Sequence, residues 1–177
     1  MGARKSPRTE RALHGDVRRA LRRMRSDLVD FACEMIRVPS ENPPGTSYGT
    51  AARVISRRLR ALGVPTRTVD PSGEGPCVFG TFGEGGRALY FSGHYDVVPA
   101  QRRDQFAPFV RKGYLHGRGS ADMKGGIAAM VYAMHALRSS GFEPNGRLVS
   151  VSVPDEETSG PRGTQALVRA GLVERDA

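Results

Sequence analysis

Three short stretches of the chain carry residue types that do chemistry. The first is Ser92-Gly-His94-Tyr-Asp96-Val-Val-Pro-Ala100. His94 and Asp96 are two apart, so on an extended backbone their side chains share a face. A metal-bound histidine needs its second ring nitrogen held by a carboxylate or carbonyl. His-x-Asp supplies both parts from one strand end. The second stretch is Gly117-Arg-Gly-Ser-Ala-Asp122-Met-Lys-Gly-Gly126. Its glycines permit tight turns, and Asp122 stands where a long helix should begin. The third is Val153-Pro-Asp155-Glu156-Glu157-Thr-Ser-Gly160, directly after a β-branched run.

Each stretch alone has a plain structural explanation. A histidine beside a surface aspartate is common, Asp is a good helix cap, and consecutive acids are usually solvated. Gly117-x-Gly119-x-x-Asp122 also overlaps a dinucleotide fingerprint. Its third position is a carboxylate, which would repel the pyrophosphate, so that reading is rejected and no cofactor-binding residue is assigned. Taken together, Asp96, Asp122, Glu156 and Glu157 are expected to meet His94 at the carboxyl edge of one sheet. Four carboxylates in one crevice repel unless protons or cations neutralise them. One imidazole with several carboxylates suits zinc or a comparable divalent ion. A carboxylate shared by two ions ~3.5–4 Å apart is the architecture of two-metal hydrolysis. Adjacent Glu156 and Glu157 can divide coordination and proton transfer. Cys33 and Cys77 are too few for a thiolate site or a disulfide framework and read as reduced, buried thiols.

These residues need elements to position them. Val17, Leu21, Met24, Leu28, Phe31 and Met35 form one apolar stripe, which predicts a helix over about 16–36. Pro39-Ser-Glu-Asn-Pro-Pro-Gly45 breaks it. A second helix is expected over about 49–62, ended by Gly63 and Pro65. Strands follow at Thr66–Val69, Cys77–Phe82 and Ala88–Ser92, then a hairpin of Phe109–Arg111 and Tyr114–His116 around Lys112-Gly113. A long helix is expected over about 122–138, a β-branched strand at Arg147–Val153 and a last helix over about 161–170. Strands alternating with helices argue for an α/β fold with a mixed, partly parallel sheet flanked by helices.

A length of 177 residues fits one domain. The net charge is +9, but residues 1–27 hold nine basic residues against three acids, and so carry two thirds of it. No aromatics interleave with that run, so it reads as a solvated tail and helix face rather than a nucleic-acid platform. Residues 1–15 are expected to be a basic polar tail, with one catalytic-type domain over 16–177. Glu10 and Asp16 speak against a transit peptide, and the start has no apolar core of a secretory signal. No run approaches the ~18 apolar residues of a membrane span. A cytoplasmic protein without membrane partners is expected.

The three motifs, in order and with their separations, resemble the co-catalytic zinc hydrolase family of acetylornithine deacetylases, succinyl-diaminopimelate desuccinylases, aminoacylases and glutamate carboxypeptidases. The resemblance extends to Pro39–Gly45 and covers the chain from about Val17 onward. It implies that His94 binds one zinc, with Asp96 orienting it, and that Asp122 bridges both ions. It implies Glu157 as ligand of the other ion and Glu156 as general base. The family often has a cis peptide after the bridging aspartate, here before Met123. Asp155 and His116 match no family ligand. Two divalent ions, zinc or alternatively cobalt, and a substrate that is an N-acyl amino acid or small peptide follow from the resemblance. So does a homodimer for full-length members. Family members are considerably longer, with a later carboxylate ligand, a last histidine and a lid domain. The chain therefore corresponds to the N-terminal part of the catalytic domain, and it is expected to be inactive and poorly stable alone. The alternative expectation is a non-catalytic, basic, metal-retaining remnant that meets nucleic acid or a protein partner through residues 1–27.

Overall fold

A computed structural model describes residues 10–174. In chain order the elements are α1 (Glu10–Arg23), α2 (Arg25–Ile36), α3 (Tyr48–Ala61), β1 (Thr66–Val69), β2 (Cys77–Phe82), β3 (Ala88–His94), β4 (Phe109–Arg111), β5 (Tyr114–His116), α4 (Lys124–Ser139), β6 (Arg147–Val153) and α5 (Thr164–Arg169). A single 3-10 turn, Arg103–Phe106, precedes the β4–β5 hairpin.

The β-branched run of β6 is buried on both faces from Leu148 to Val153, as a central strand must be. The sheet order is β1-β2-β6-β3. β6 runs antiparallel to β2 and parallel to β3, so the fold is α/β with a mixed four-stranded sheet flanked by helices. Parallel neighbours need a long crossover, and the hairpin and α4 provide it between β3 and β6. On one face, Phe31, Ile55, Leu59, Ile127 and Val131 of α2, α3 and α4 are buried against Val78 and Leu148. At two strand positions on this face the helices approach too closely for a side chain. A Cβ on Gly80 would lie 2.8 Å from Leu59 Cδ2, and one on Gly93 2.7 Å from Met130 Cε. The alternate strand positions, Phe79, Val149, Val151 and Val153, pack with Leu167 of α5 on the other face. Each such fully buried aliphatic or aromatic side chain contributes roughly 1.5–3 kcal/mol.

The N-terminal region departs from the sequence expectation. Helix begins at Glu10, inside the anticipated tail, and bends at Met24 (φ −91°, ψ 1°) instead of running unbroken to Ile36. The bend lets α1 rest on α4 while α2 packs against both α3 and α4. Arg11, Arg18, Arg22 and Arg23 face solvent along α1, and Arg19 pairs with Asp16. Residues 1–9 of the anticipated tail lie outside the described residues.

Candidate metal centre

His94 closes β3, directly opposite Val153 of β6. The two parallel strands therefore release their chains side by side at one sheet edge. Tyr95 turns inward and is fully buried, edge-on to Tyr48 at 5.7 Å between centroids, with its hydroxyl donating to Pro76 O at 2.8 Å. That anchor leaves His94 and Asp96 on the same side, both buried. The Pro39–Gly45 segment stitches this loop down. Val97 N donates to Ser40 O and Asn42 N to Val97 O, both at 2.9 Å. Ser40 Oγ donates to Tyr95 O at 2.6 Å.

Asp122 does not cap the helix. α4 starts at Lys124, its N-cap position is Met123, and no side chain caps it. The Asp122–Met123 peptide is cis. The Asp122 carboxylate, three-quarters exposed, lies with Oδ1 3.0 Å from His94 Nε2. Two residues on, Lys124 is fully buried and donates Nζ–H to Val38 O at 2.7 Å. Burial pushes its pKa down to about 7, although Asp96 and Glu41 act in the opposite direction.

After β6, Asp155 adopts φ +69°. The reversal turns Asp155 inward, where it is buried against Arg162 Nη2 at 2.9 Å, and sends Glu156 and Glu157 to the sheet edge. Glu156 Oε2 lies 3.6 Å from His94 Nε2. Glu157 N donates to Asp96 Oδ2 at 3.1 Å, and its Oε1 accepts from Val98 N at 3.3 Å. One ligand atom each from His94, Asp122 and Glu157 falls within 4.8 Å of the other two.

The electrostatics fit a cation. His94 Nδ1 is 3.1 Å from the Asp96 carbonyl oxygen and 3.4 Å from its Oδ1. The backbone carbonyl is thus the nearer acceptor, with the carboxylate behind it. With the Nδ1 proton used there, the Nε2 lone pair faces the carboxylates of Asp122 and Glu156. Only a proton or a metal ion makes that arrangement favourable. Burial by itself lowers the His94 pKa, but Asp96, Asp122 and Glu156 outweigh it and push it up to about 9. Burial likewise works to raise Asp96, yet His94, Asn42 and the Glu157 and Glu156 amides hold it below the usual carboxylate range. Burial pushes the Glu157 carboxyl up. An imidazole and carboxylates without sulfur form a donor set suited to zinc and similar divalent ions.

The remaining sequence candidates fall elsewhere. His116 stacks on Phe109 in the hairpin, 4.7 Å between centroids. A cavity of about 640 Å³ is lined by residues including Arg37, Glu41, Thr46, Arg102 and Arg103, and by none of the five candidate site residues. Asn42, Lys124 and Arg162 support the cluster from below and were not singled out by sequence reasoning. Asn42 and Lys124 lay within noted motifs, but nothing in residue type or local spacing marks them as buried.

The sequence profile of peptidase family M20/M25/M40 matches residues 90–177, which include all five site residues. Residues 90–177 belong to this family. Succinyl-diaminopimelate desuccinylase of Buchnera aphidicola subsp. Acyrthosiphon pisum (strain APS) is 35% identical over 158 residues, which is 86% of this chain and 41% of that protein. The chain thus spans about two fifths of the length of the curated relatives it matches. Among solved structures, the di-peptidase Dug1p of Saccharomyces cerevisiae superposes with a TM-score of 0.71 at 24% identity, covering 83% of this chain and 35% of that one. Human carnosine dipeptidase 1 gives 0.66 at 22% identity, covering 78% and 34%. Both show the same fold. No helix among the described residues is long and apolar enough to cross a membrane.

Proposed function

We propose that this chain supplies the first part of the active site of a metal-dependent amidohydrolase acting on N-acyl amino acids or small peptides. The observation that carries the reading is the convergence of His94, Asp122 and Glu157 within 4.8 Å, with Glu156 beside them. In this reading His94 and Glu157 each hold one of two divalent ions, zinc or cobalt, and Asp122 holds both. When bound, those ions supply Lewis acidity at the scissile carbonyl. Asp96 keeps the Nδ1 side of His94 occupied, so that Nε2 is the free donor. Glu156 has no such tie, and its exposed carboxylate can take a proton from the attacking water. It then passes that proton to the departing amine. The relatives' names, a desuccinylase and two dipeptidases, support amide cleavage next to an amino-acid carboxylate as the reaction class.

Two ions sharing Asp122 would each have two protein donors among the described residues, below the three usual for catalytic zinc. We therefore propose that the 177 residues alone bind zinc weakly and release no product from N-acetyl amino acids. Equilibrium dialysis of the chain against zinc tests the assignment. His94→Ala, Asp122→Ala and Glu157→Ala should each reduce bound metal. Equal zinc uptake by the wild type and all three variants would remove these residues from the site.

A further inference from the structure

Beneath the cluster lies a buried amide that the proposed chemistry does not use. Asn42 is 1% exposed. Its Nδ2 donates its two hydrogens to Asp96 Oδ2 and Asp155 Oδ1, both at 3.0 Å, and lies 3.1 Å from Thr158 Oγ1. Both carboxylates it joins are themselves buried. They belong to different strand ends, Asp96 after β3 and Asp155 after β6. Two buried carboxylates drawn together without a donor between them would repel. The side-chain amide is the neutral group that can donate to both. The reverse orientation would point a carbonyl at two carboxylates, so the chemistry fixes which way the amide faces.

Asn42 is itself held firmly. Its backbone N–H bonds Val97 O, and its neighbour Ser40 bonds Tyr95 O. Lys124, from the start of α4, holds Val38 O. The segment therefore touches all three pieces of chain that carry the candidate ligands: the β3 loop, the start of α4 and the loop after β6. On the far side of Asp155, Arg162 supplies both its guanidinium and its backbone N–H, at 2.9 Å and 3.0 Å. Asp155 is thereby locked between Asn42 and Arg162, and Glu156 and Glu157 follow it directly in the chain.

We propose that Asn42 is a positioning residue of the metal centre. Its amide clamps Asp96, which sits behind His94, to Asp155, which fixes the loop bearing Glu156 and Glu157. It touches none of the three candidate ligands, so its effect passes through these two carboxylates. This inference rests on the proposed metal-site reading for its metal readout, and on the hydrogen-bond network alone for its second readout.

The test uses the 177-residue chain with Asn42→Ala and Asn42→Ser. Zinc affinity is measured by competition with a chromophoric chelator. Amide hydrogen exchange is followed on the metal-free protein at Glu157, whose N–H donates to Asp96 Oδ2. Both variants should bind zinc roughly 10–100-fold more weakly, the usual effect of losing a group behind the ligands. Exchange at Glu157 should speed up while β2 and β6 amides keep their protection. Tyr132→Phe, which removes the hydroxyl bonded to Arg58 on another face, should lower the melting temperature with no change in zinc affinity or in Glu157 exchange. Unchanged affinity and unchanged Glu157 exchange in both Asn42 variants would overturn the proposal. So would loss of the folded state in both, which would make Asn42 a general stabiliser. If the wild type takes up no zinc, the metal reading fails, and Glu157 exchange still decides whether the clamp exists.

Discussion

Gly160 is the position where one methyl group should disturb the acidic loop most. A Cβ there would lie 1.9 Å from Asp155 Oδ2 and 2.4 Å from its Cγ. The backbone itself does not demand glycine, because Gly160 is not among the residues with positive φ. An unstrained Gly→Ala change stabilises by ~0.4–1 kcal/mol through the unfolded chain. Here the carboxylate must move, and it is held by the Arg162 guanidinium at 2.9 Å, Arg162 N at 3.0 Å and Asn42 at 3.0 Å. Hydrogen bonds to charged groups are worth ~1.5–3 kcal/mol each, so losing one or two, less the unfolded-state gain, leaves a net cost of about 2–4 kcal/mol. At this chain length that is about 5–15 °C in melting temperature. Thermal and urea unfolding followed by circular dichroism measure it. Gly49→Ala is the control: it lies in the first turn of α3, where the nearest atom to the new Cβ is Arg53 Nη1 at 3.4 Å. It should gain about 0.5–1 kcal/mol. In an Asp155→Ala background the clash is gone, and Gly160→Ala should be near neutral. A Gly160→Ala protein as stable as wild type, or an equal loss in the Asp155→Ala background, would refute the reasoning.

Three further outcomes are expected. In a longer form of the protein that turns over substrate, Glu156→Gln should keep its zinc and lose ~10²–10⁴-fold in rate; loss of zinc with recovery in excess metal would make Glu156 a ligand instead. Asp96→Asn should weaken zinc binding by roughly 10–100-fold, and unchanged affinity would reduce it to a buried structural carboxylate. His135 on α4 is held below its ordinary pKa, chiefly by burial and further by Arg138, although the Leu62 backbone opposes this. The unfolded chain then binds this proton more readily, so the His135 contribution to stability should fall as pH drops through about 6.5, opposite in sign to that of His94, which is pushed up to about 9. On going from about pH 7.5 to 5.5 the urea midpoint of wild type should move lower relative to that of His135→Gln, and equal shifts in the two proteins would reject the assignment.

Local pattern made the strands legible. β1, β2, the β4–β5 hairpin and β6 match their expected spans, because period-2 apolar runs between glycine turns have few other solutions. The clustering of His94, Asp122 and Glu157 was legible because each follows a strand or precedes a helix on the same sheet. What escaped the sequence depends on distant partners. Asn42 reads as a turn residue in a proline-rich break, and its contact with Asp155 spans 113 positions. Lys124 reads as a surface lysine on a helix, since lysine is almost never fully buried, yet its ammonium finds Val38 O from 86 positions away. The bend at Met24 follows from α1 and α2 having different neighbours, and the unbroken apolar stripe gives no sign of it.

The strand order has a consequence for the time at which the cluster can come into being. β2 and β3 are consecutive in the chain but not neighbours in the sheet; β6 lies between them. Until Arg147–Val153 has inserted, β2 and β3 share no hydrogen-bonded partner, and His94 waits at the end of an unpaired strand. Glu156 and Glu157 arrive on the same piece of chain that fills the gap, 61 positions after Asp96 in the case of Glu157. Pairings this distant form late, after the loop-closure entropy has been met. Acquisition of the carboxylates and closure of the sheet are therefore one event. A nascent chain emerging from the ribosome gains its charged crevice only when its central strand is in place.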